Sequence, residues 1–522
     1  MRVYIRRVKT SSGATAVQIA QKRHGKREIL EHLGSAHDEV TLASLEQVAR
    51  EKIQAGQMAF DLDLHTDDTT TAPAKGVDAG GGLVLHGTRP RVLWEVLEQA
   101  YERIGFTGAV NDEVLKQLVL ARVIEPTSKL DSLRVLAELN VENVPSYATL
   151  KRHLARCVPD NWRDLLSSAA YRFAADGGAV SVCLYDVTTL YFEADEEDEL
   201  RKSGFSKERR IDPQILVGLL VDRHGFPLEL HFFEGNKAET RTMIPVLDAF
   251  RDRHQVQDML VVADAGMLSW ANIQALEEAG YQYIVGSRNA KAPMDLAKTF
   301  ATTGNHFADG QVIETTTELK KGTESSRRRA VWQYRLAREH RDRLAREHRD
   351  RRNHTLQVQR AEDIAAGRKA QRKARFLTTG QRKSLTVDYE AAKAAEQLFG
   401  LKGYVTNTSM KVLSGAEVVA AYHSLFEVEA SFRMAKSDLR ARPIFHHTRD
   451  AIEAHLTIVF CALAVGRHLQ TATGMSLRRI IKTLQPLREG LVEINGTIAT
   501  IPAALTPEAK EILKTLPEKS GH

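Results

Sequence analysis

AVSVCLYDVTTLYFE, residues 179–193, decides how this chain is read. Its apolar and β-branched residues run almost unbroken, as in a strand buried on both faces. One carboxylate, Asp186, interrupts the run. A charge in such a place is costly unless it is paired, hydrogen-bonded or bound to a cation. Two more strands follow, QILVGLLVD (Gln214–Asp222) and FPLELHFFEG (Phe226–Gly235), joined at Arg223-His224-Gly225 as in a hairpin. The spacing predicts an amphipathic helix over Thr240–Arg253, a fourth strand at MLVVADAG (Met259–Gly266), a helix from Ser269 to Ala279 closed by Gly280, and a fifth strand at YQYIVGS (Tyr281–Ser287). The order β-β-β-α-β-α-β describes an antiparallel start followed by parallel units, hence an α/β fold with a mixed sheet.

Asp264 repeats the situation of Asp186. Leu260-Val261-Val262-Ala263 leads straight into Asp264-Ala265-Gly266. In open α/β sheets, ligand sites form outside the carboxyl ends of strands. Either aspartate alone could be a turn former or helix cap. Two of them on apolar strands of one sheet make that reading weaker. A third group lies on a helix expected from about Gly415 to Asp438. There Tyr422, Leu425, Glu429, Arg433 and Lys436 are spaced 3, 4, 4 and 3 apart. At about 100° per residue they share one stripe roughly 80° wide. A helix beside a metal-bound phosphate calls for one carboxylate and several cations on such a stripe. A surface stripe with Glu429 and Arg433 as an i,i+4 pair reads equally well, and spacing alone does not separate the two.

Three carboxylates, with oxygen donors throughout, suit Mg²⁺ or Mn²⁺. Two such ions about 4 Å apart serve phosphodiester chemistry by assisting both the attacking and the leaving oxygen. Other classes are disfavoured. The chain has no glycine-rich nucleotide-phosphate loop. Its 19 histidines form no HExxH and no Cys/His pairing of the zinc type. Asp186-Val-Thr lacks the second aspartate of a phosphatase-like aspartyl nucleophile. Cys157, Cys183 and Cys461 lie far apart and read as core residues of a reducing compartment.

At this point the motifs form a recognisable set. YDVTTLYFE (Tyr185–Glu193), GNKAET (Gly235–Thr240), VVADAGMLS (Val261–Ser269) and RARPIFHH (Arg440–His447) surround the helix signature Tyr422-His-Ser-Leu425-Phe-Glu-Val-Glu429 with Lys436 seven residues on. Together they resemble the DDE transposases of bacterial insertion sequences, in the group with a Tyr-x2-Arg-x3-Glu-x6-Lys signature. The likeness spans roughly residues 110–470. It implies a ribonuclease H-like mixed-sheet core with an inserted domain and a mainly helical N-terminal DNA-binding region. It implies Asp186, Asp264 and Glu429 as metal ligands for two Mg²⁺ (or Mn²⁺) ions, with Tyr422 and Lys436 near DNA. One position departs: the signature arginine is Leu425, and Arg433 is the candidate to replace its phosphate contact. Glu427 lies two residues before Glu429, about 200° around the helix, on another face.

The rest of the chain is arranged around this core. Length alone suggests about two to four domains. Residues 1–60 read as a β-hairpin followed by a helix near Leu42–Gln54, and 61–90 as a polar linker. Residues 91–175 are helical. Within them Lys151 and Arg152 face outward opposite Leu150 and Leu154, as a DNA-reading helix would have them, although pattern alone favours a plain bundle. The core runs over 176–287 and 401–475, with an insertion at 288–400 and a helical tail at 476–522. The insertion carries the charge asymmetry. Ser325–Arg375 holds 17 Lys/Arg and 6 Asp/Glu, a local +11 against +6 for the whole chain, so the remainder is 6 − 11 = −5. Such a block attracts a polyanion. It includes RLAREHRD twice in tandem, at 335–342 and 343–350.

The expected activity is metal-dependent cleavage and strand transfer at element ends. A nuclease without strand transfer, or an inactive DNA-binding protein, are the alternatives. The expected partners are double-stranded DNA, as terminal inverted repeats and as target, and further copies of the chain in a homodimer or higher synaptic complex. No membrane is expected. MRVYIRRVKTSSG has no apolar run behind its charges, and His455–Gly466 is too short to span a bilayer and reads as a buried helix. The expected location is the cytoplasm, at the nucleoid.

Overall fold

The strand that holds Asp186 lies inside an eight-stranded sheet, in a computed structural model of the protein. The structure describes residues 3–9, 15–23, 26–36, 84–176, 182–192, 197–204, 212–256, 258–288, 291–304, 306–335, 346–369, 374–379, 385–396, 398–494 and 497–516. The chain divides into two compact units, Met1–Gly80 and Gly81–His522. The first holds an antiparallel sheet of β1 (Val3–Lys9), β2 (Thr15–Arg23) and β3 (Lys26–Ala36), in that order. The hairpin is therefore joined by a third strand. Its period-two pattern is blurred because the pairing shifts register twice, between Val17 and Gln18 and between Ile19 and Ala20. The helix expected near Leu42–Gln54 lies outside the described residues.

The second unit opens with β4 (Val84–Arg89), inside the stretch read as linker. Helices α1 (Arg91–Arg103), α2 (Phe106–Ala109), α3 (Glu113–Ile124), α4 (Ser132–Glu138), α5 (Tyr147–Leu154) and α6 (Trp162–Asp176) follow. Eight residues, 139–146, separate α4 from α5, longer than the turn of about 3–4 residues in a helix-turn-helix. Then come β5 (Val182–Tyr191), β6 (Gln214–Asp222), β7 (Pro227–Glu234), α7 (Met243–His254), β8 (Leu260–Ala263), α8 (Trp270–Glu278) and β9 (Gln282–Gly286). Their order in the sheet is β7-β6-β5-β8-β9. β6 runs antiparallel to β5 and β7, while β8 runs parallel to β5 and β9 parallel to β8. This is the mixed sheet that the β-β-β-α-β-α-β order describes, in the ribonuclease H-like arrangement that the resemblance implied.

The chain from 288 to 400 contributes to the same sheet. After α9 (Ala292–Asp295) and α10 (Ala297–Thr303), the long hairpin β10 (Val312–Lys321) and β11 (Glu324–Tyr334) extends it. α11 (Arg346–Ala365), β12 (Leu377–Thr379), β13 (Leu385–Val387) and α12 (Tyr389–Glu396) form the rest. β14 (Leu401–Thr406) lies between β9 and β11, antiparallel to both. Of the tandem repeat, 336–345 lies outside the described residues, and the second copy enters α11 at Arg346.

The expected Gly415–Asp438 helix is present in three parts: α13 (Gly415–His423), α14 (Leu425–Arg433) and a π-helical turn, Met434–Asp438. Ser414 and Glu417 cap its start reciprocally. α15 (Arg449–Thr473) follows, its start capped by the Thr448 side chain and its end by Gly474 at φ 67°. It is long and apolar enough to cross a membrane, yet 89% of its most apolar window is buried. It is the central core helix, packed against α1, α3, β7 and the π turn. The unit closes with α16 (Leu477–Leu484), β15 (Glu489–Ile494), β16 (Thr497–Ile501) and α17 (Pro507–Thr515). β15 pairs with β16 and, some 400 residues back in the chain, with β4.

Candidate active site

Two strands set the aspartates. β5 and β8 pair in parallel, with Tyr185 opposite Ala263 as the last paired residues. Asp186 and Asp264 come next on each, just past the paired part of two strands spaced about 4.8 Å. At Ala263 the strand stops, and Asp264 begins a short 3₁₀ turn in which the Met267 amide donates to the Asp264 carbonyl at 2.9 Å. The Asp264 side chain is exposed at this strand end.

Side-chain alternation separates Tyr185 from Asp186. On one face Tyr185 Oη donates to Thr242 Oγ1 at 2.8 Å, and Thr242 donates to the Glu239 carbonyl at 2.6 Å. That chain of bonds fastens GNKAET to the sheet. It needs a glycine at 218, where a Cβ would sit 2.5 Å from the Tyr185 oxygen. Glu239 also comes close to the Asp264 loop, since a Cβ on Gly266 would lie 3.8 Å from Glu239 Oε2. Glu239 carries no sequence signal of its own beyond its place in the GNKAET motif.

The signature helix spans the other face. Tyr422 Oη donates to Asp264 Oδ1 at 2.8 Å. Lys436 Nζ donates to Thr188 Oγ1, and Thr188, two residues past Asp186, points to the same side of β5. Glu429 is seven residues from each of these anchors. The break at Ser424 and the π turn over Met434–Asp438 fall between Glu429 and each anchor. Glu429 lies on the central segment, between the two anchors in sequence, and its side chain is exposed. α14 packs on β5 and β6.

Tyr422 is firmly held. Its ring lies 4.6 Å from that of Tyr404, centroid to centroid, and Lys402 Nζ is 5.3 Å from the ring centre. Burial, then the Asp264 charge, push its phenol pKa far up, so it stays a proton donor to Asp264. Gly286 leaves room for it: a Cβ there would stand 2.5 Å from Tyr422 Oη.

The neighbouring acid, Glu427, is engaged elsewhere. It pairs with Arg467, which also donates to the His224 carbonyl. Leu425, in the place of the signature arginine, is buried in the core. Arg433 is exposed one turn beyond Glu429, and among the described residues the two form no ion pair. Lys151 and Arg152 are exposed on α5, whose start is capped by Ser146, with Leu150 and Leu154 buried beneath. Among the described residues no hydrogen bond or ion pair joins them to the three carboxylates. Part of the basic segment is used internally. Arg328 pairs with Glu277, while Arg329 binds Glu314 at 2.9 Å and donates to the Thr408 and Leu413 carbonyls.

The donor set consists of carboxylates, which fits a hard divalent cation. Among the described residues no three His, Cys, Asp or Glu side chains converge on a point that could hold a metal ion. Asp186 and Asp264 follow the last paired residues of neighbouring strands, and Glu429 lies on the helix that Tyr422 and Lys436 tie to Asp264 and Thr188.

A family model described as "Transposase DDE domain" matches residues 178–465. No curated protein matches the chain. Among solved structures, the chain is similar to a piggyBac transposase synaptic complex with hairpin DNA, at 9% identity and a TM-score of 0.36, over 78% of this chain and 82% of that one. It is also similar to a Mos1 transposase paired-end complex with left transposon end, at 14% identity and a TM-score of 0.15, over 46% and 66% of the two chains.

Proposed function

The chain belongs to the DDE transposase-domain family, and from that premise we propose that it cuts and rejoins DNA at the ends of a bacterial insertion sequence, with Asp186, Asp264 and Glu429 as its metal ligands. The observation that carries this reading is that Asp186 and Asp264 each follow the last paired residue of adjacent parallel strands, beside a helix tied to Asp264 by Tyr422 and to Thr188 by Lys436. The all-oxygen donor set favours Mg²⁺ or Mn²⁺, two ions per site. When bound, such ions assist the attacking and leaving oxygens of a phosphodiester. The protein's own part is to hold and orient. Tyr422 fixes Asp264 by donating to one of its oxygens, leaving the other for a ligand. Lys436 anchors the helix to β5 and places positive charge near the scissile strand. Arg433 supplies the exposed cation that Leu425 does not.

The partner is duplex DNA, as terminal inverted repeats and as target, held by Lys151, Arg152 and the remaining basic residues of 325–375. Two element ends require a homodimer or larger synaptic complex. The setting is the cytoplasm, at the nucleoid.

Asp264→Ala should abolish Mg²⁺-dependent cleavage of element ends while duplex affinity stays within about twofold, since one exposed carboxylate contributes little to a phosphate-dominated interface. Undiminished cleavage would refute the assignment. Pre-cut ends test the second step: joining to target DNA supports a transposase, and cutting without joining assigns a nuclease.

A further inference from the structure

We propose that the cavity beyond the end of the signature helix takes an unpaired nucleotide of the substrate strand. This inference rests on the DNA-cutting reading above and adds a binding site to it. The cavity measures about 480 Å³ and opens between the end of α3, the π turn and α16. Ile124, Pro126, Leu477 and Ile481 supply apolar wall, and Arg440, Arg478 and Lys482 supply positive charge. The lining has a single acid, Asp438, at 4.0 Å from Arg478. Apolar wall with a cationic rim is the pairing that a base and its phosphate require.

The turn that lines it is built with care. Arg122, buried at the end of α3, donates to the carbonyls of Leu439 at 2.9 Å, Arg440 at 3.4 Å and Thr127 at 3.1 Å. Arg440 is held in the left-handed region at φ 44°, where a non-glycine residue is strained. Arg122 thus acts as a positioning residue for Arg440.

Size and distance select the occupant. A roughly spherical space of this volume is about 10 Å across, and a duplex whose major groove alone is about 12 Å wide does not enter. Ser437 on the cavity wall is eight residues past Glu429, roughly 10–12 Å along a helix whose last turn is π-helical. At about 3.4 Å per nucleotide that is three to four steps along one strand. The site is therefore placed to receive a nucleotide three to four positions from the scissile bond.

The test uses the full chain in EDTA with fluorescein-labelled 30-bp duplexes, blunt or carrying a one- or four-nucleotide single-stranded extension. The four-nucleotide extension should bind about fivefold more tightly than the blunt duplex, and the one-nucleotide extension no better than blunt. Arg478→Glu with Lys482→Glu, both exposed positions, should bring the ratio to about one, and so should Ser437→Trp, which fills the cavity without changing charge. Lys510→Glu on α17 should leave it unchanged. Equal binding of blunt and extended duplexes by the wild type, or a preference that survives both cavity variants, overturns the inference while leaving the transposase reading intact. A chain that binds no duplex at all overturns that reading, and this inference with it.

Discussion

Glu427 and Glu429 are two residues apart, carry the same chemistry, and should respond oppositely to the same substitution. Glu427 is bound to Arg467, and Arg467 is largely buried. Glu427→Gln leaves that cation poorly paired, so it should cost about 1–3 kcal/mol of stability and leave cleavage close to wild type. Glu429 is exposed on the helix stripe, so Glu429→Gln should leave the urea midpoint unchanged and remove cleavage. Parallel urea melts and cleavage assays decide it, and loss of cleavage in the Glu427 variant alone would reverse the assignment. Gly286→Ala makes a companion test. A methyl placed 2.5 Å from Tyr422 Oη must displace that hydroxyl from Asp264. Activity should fall at least about tenfold with a stability cost of about 1–3 kcal/mol, and normal activity would show that the Tyr422–Asp264 bond is dispensable. Asp186 and Asp264 were legible in the sequence because a carboxylate in an apolar strand is conspicuous. The pairing of Glu427 was not, because Arg467 lies 40 residues away and meets it through tertiary packing alone.

Among the elements, those with strong local periodicity were legible. The five strands and two helices of the first half of the core lie where their apolar patterns put them. The signature helix was read as one piece, and structure breaks it at Ser424 and widens it over Met434–Asp438. A 3.6-residue period does not distinguish an α turn from a π turn. Strand pairings between distant segments left no local trace, as with β4 and β15, or β11 and β14. The second of these has an energetic consequence. Trp332 on β11 is fully buried and lies over Gly403 of β14, where a Cβ would come within 2.7 Å of the indole. It packs among Ala292, Leu296, Leu398 and Leu401 in a small core of its own. Trp332→Ala should cost about 3–5 kcal/mol. Because β14 also borders β9, which carries Gly286 and with it the seat of Tyr422, cleavage should fall as well. A variant with an unchanged melting temperature would show that the hairpin is not part of the folded core.

For the molecule as a whole, acid is the condition to which this fold should be most sensitive. Burial lowers the pKa of His254, His446 and His468 from 6.5 to about 4 each, and that of His455 well below 6.5. They sit in the seams between helices and core. His254 stacks on Tyr171 of α6, His468 of α15 meets Phe173 of the same helix, and His446 lies against His455. The native state holds these rings neutral, while the unfolded chain protonates them near pH 6.5. Between pH 6.5 and 4 the unfolded state therefore binds more protons, and stability must fall as pH falls through that window. Above pH 6.5 their contribution is fully present. A shift of this size corresponds to about 3 kcal/mol per fully buried ring, and partial exposure of His254, His446 and His468 reduces it to about 1–2 kcal/mol each. Urea midpoints at pH 7.5, 5.5 and 4.5 should drop steeply between the first and the last. Gln cannot be protonated in this range, so His446→Gln with His468→Gln should flatten the drop even if it lowers stability at pH 7.5. A double variant that keeps the full wild-type slope would place the acid sensitivity in the carboxylate pairs instead, such as Glu229 with His231 and Arg253, whose protonation breaks a buried network.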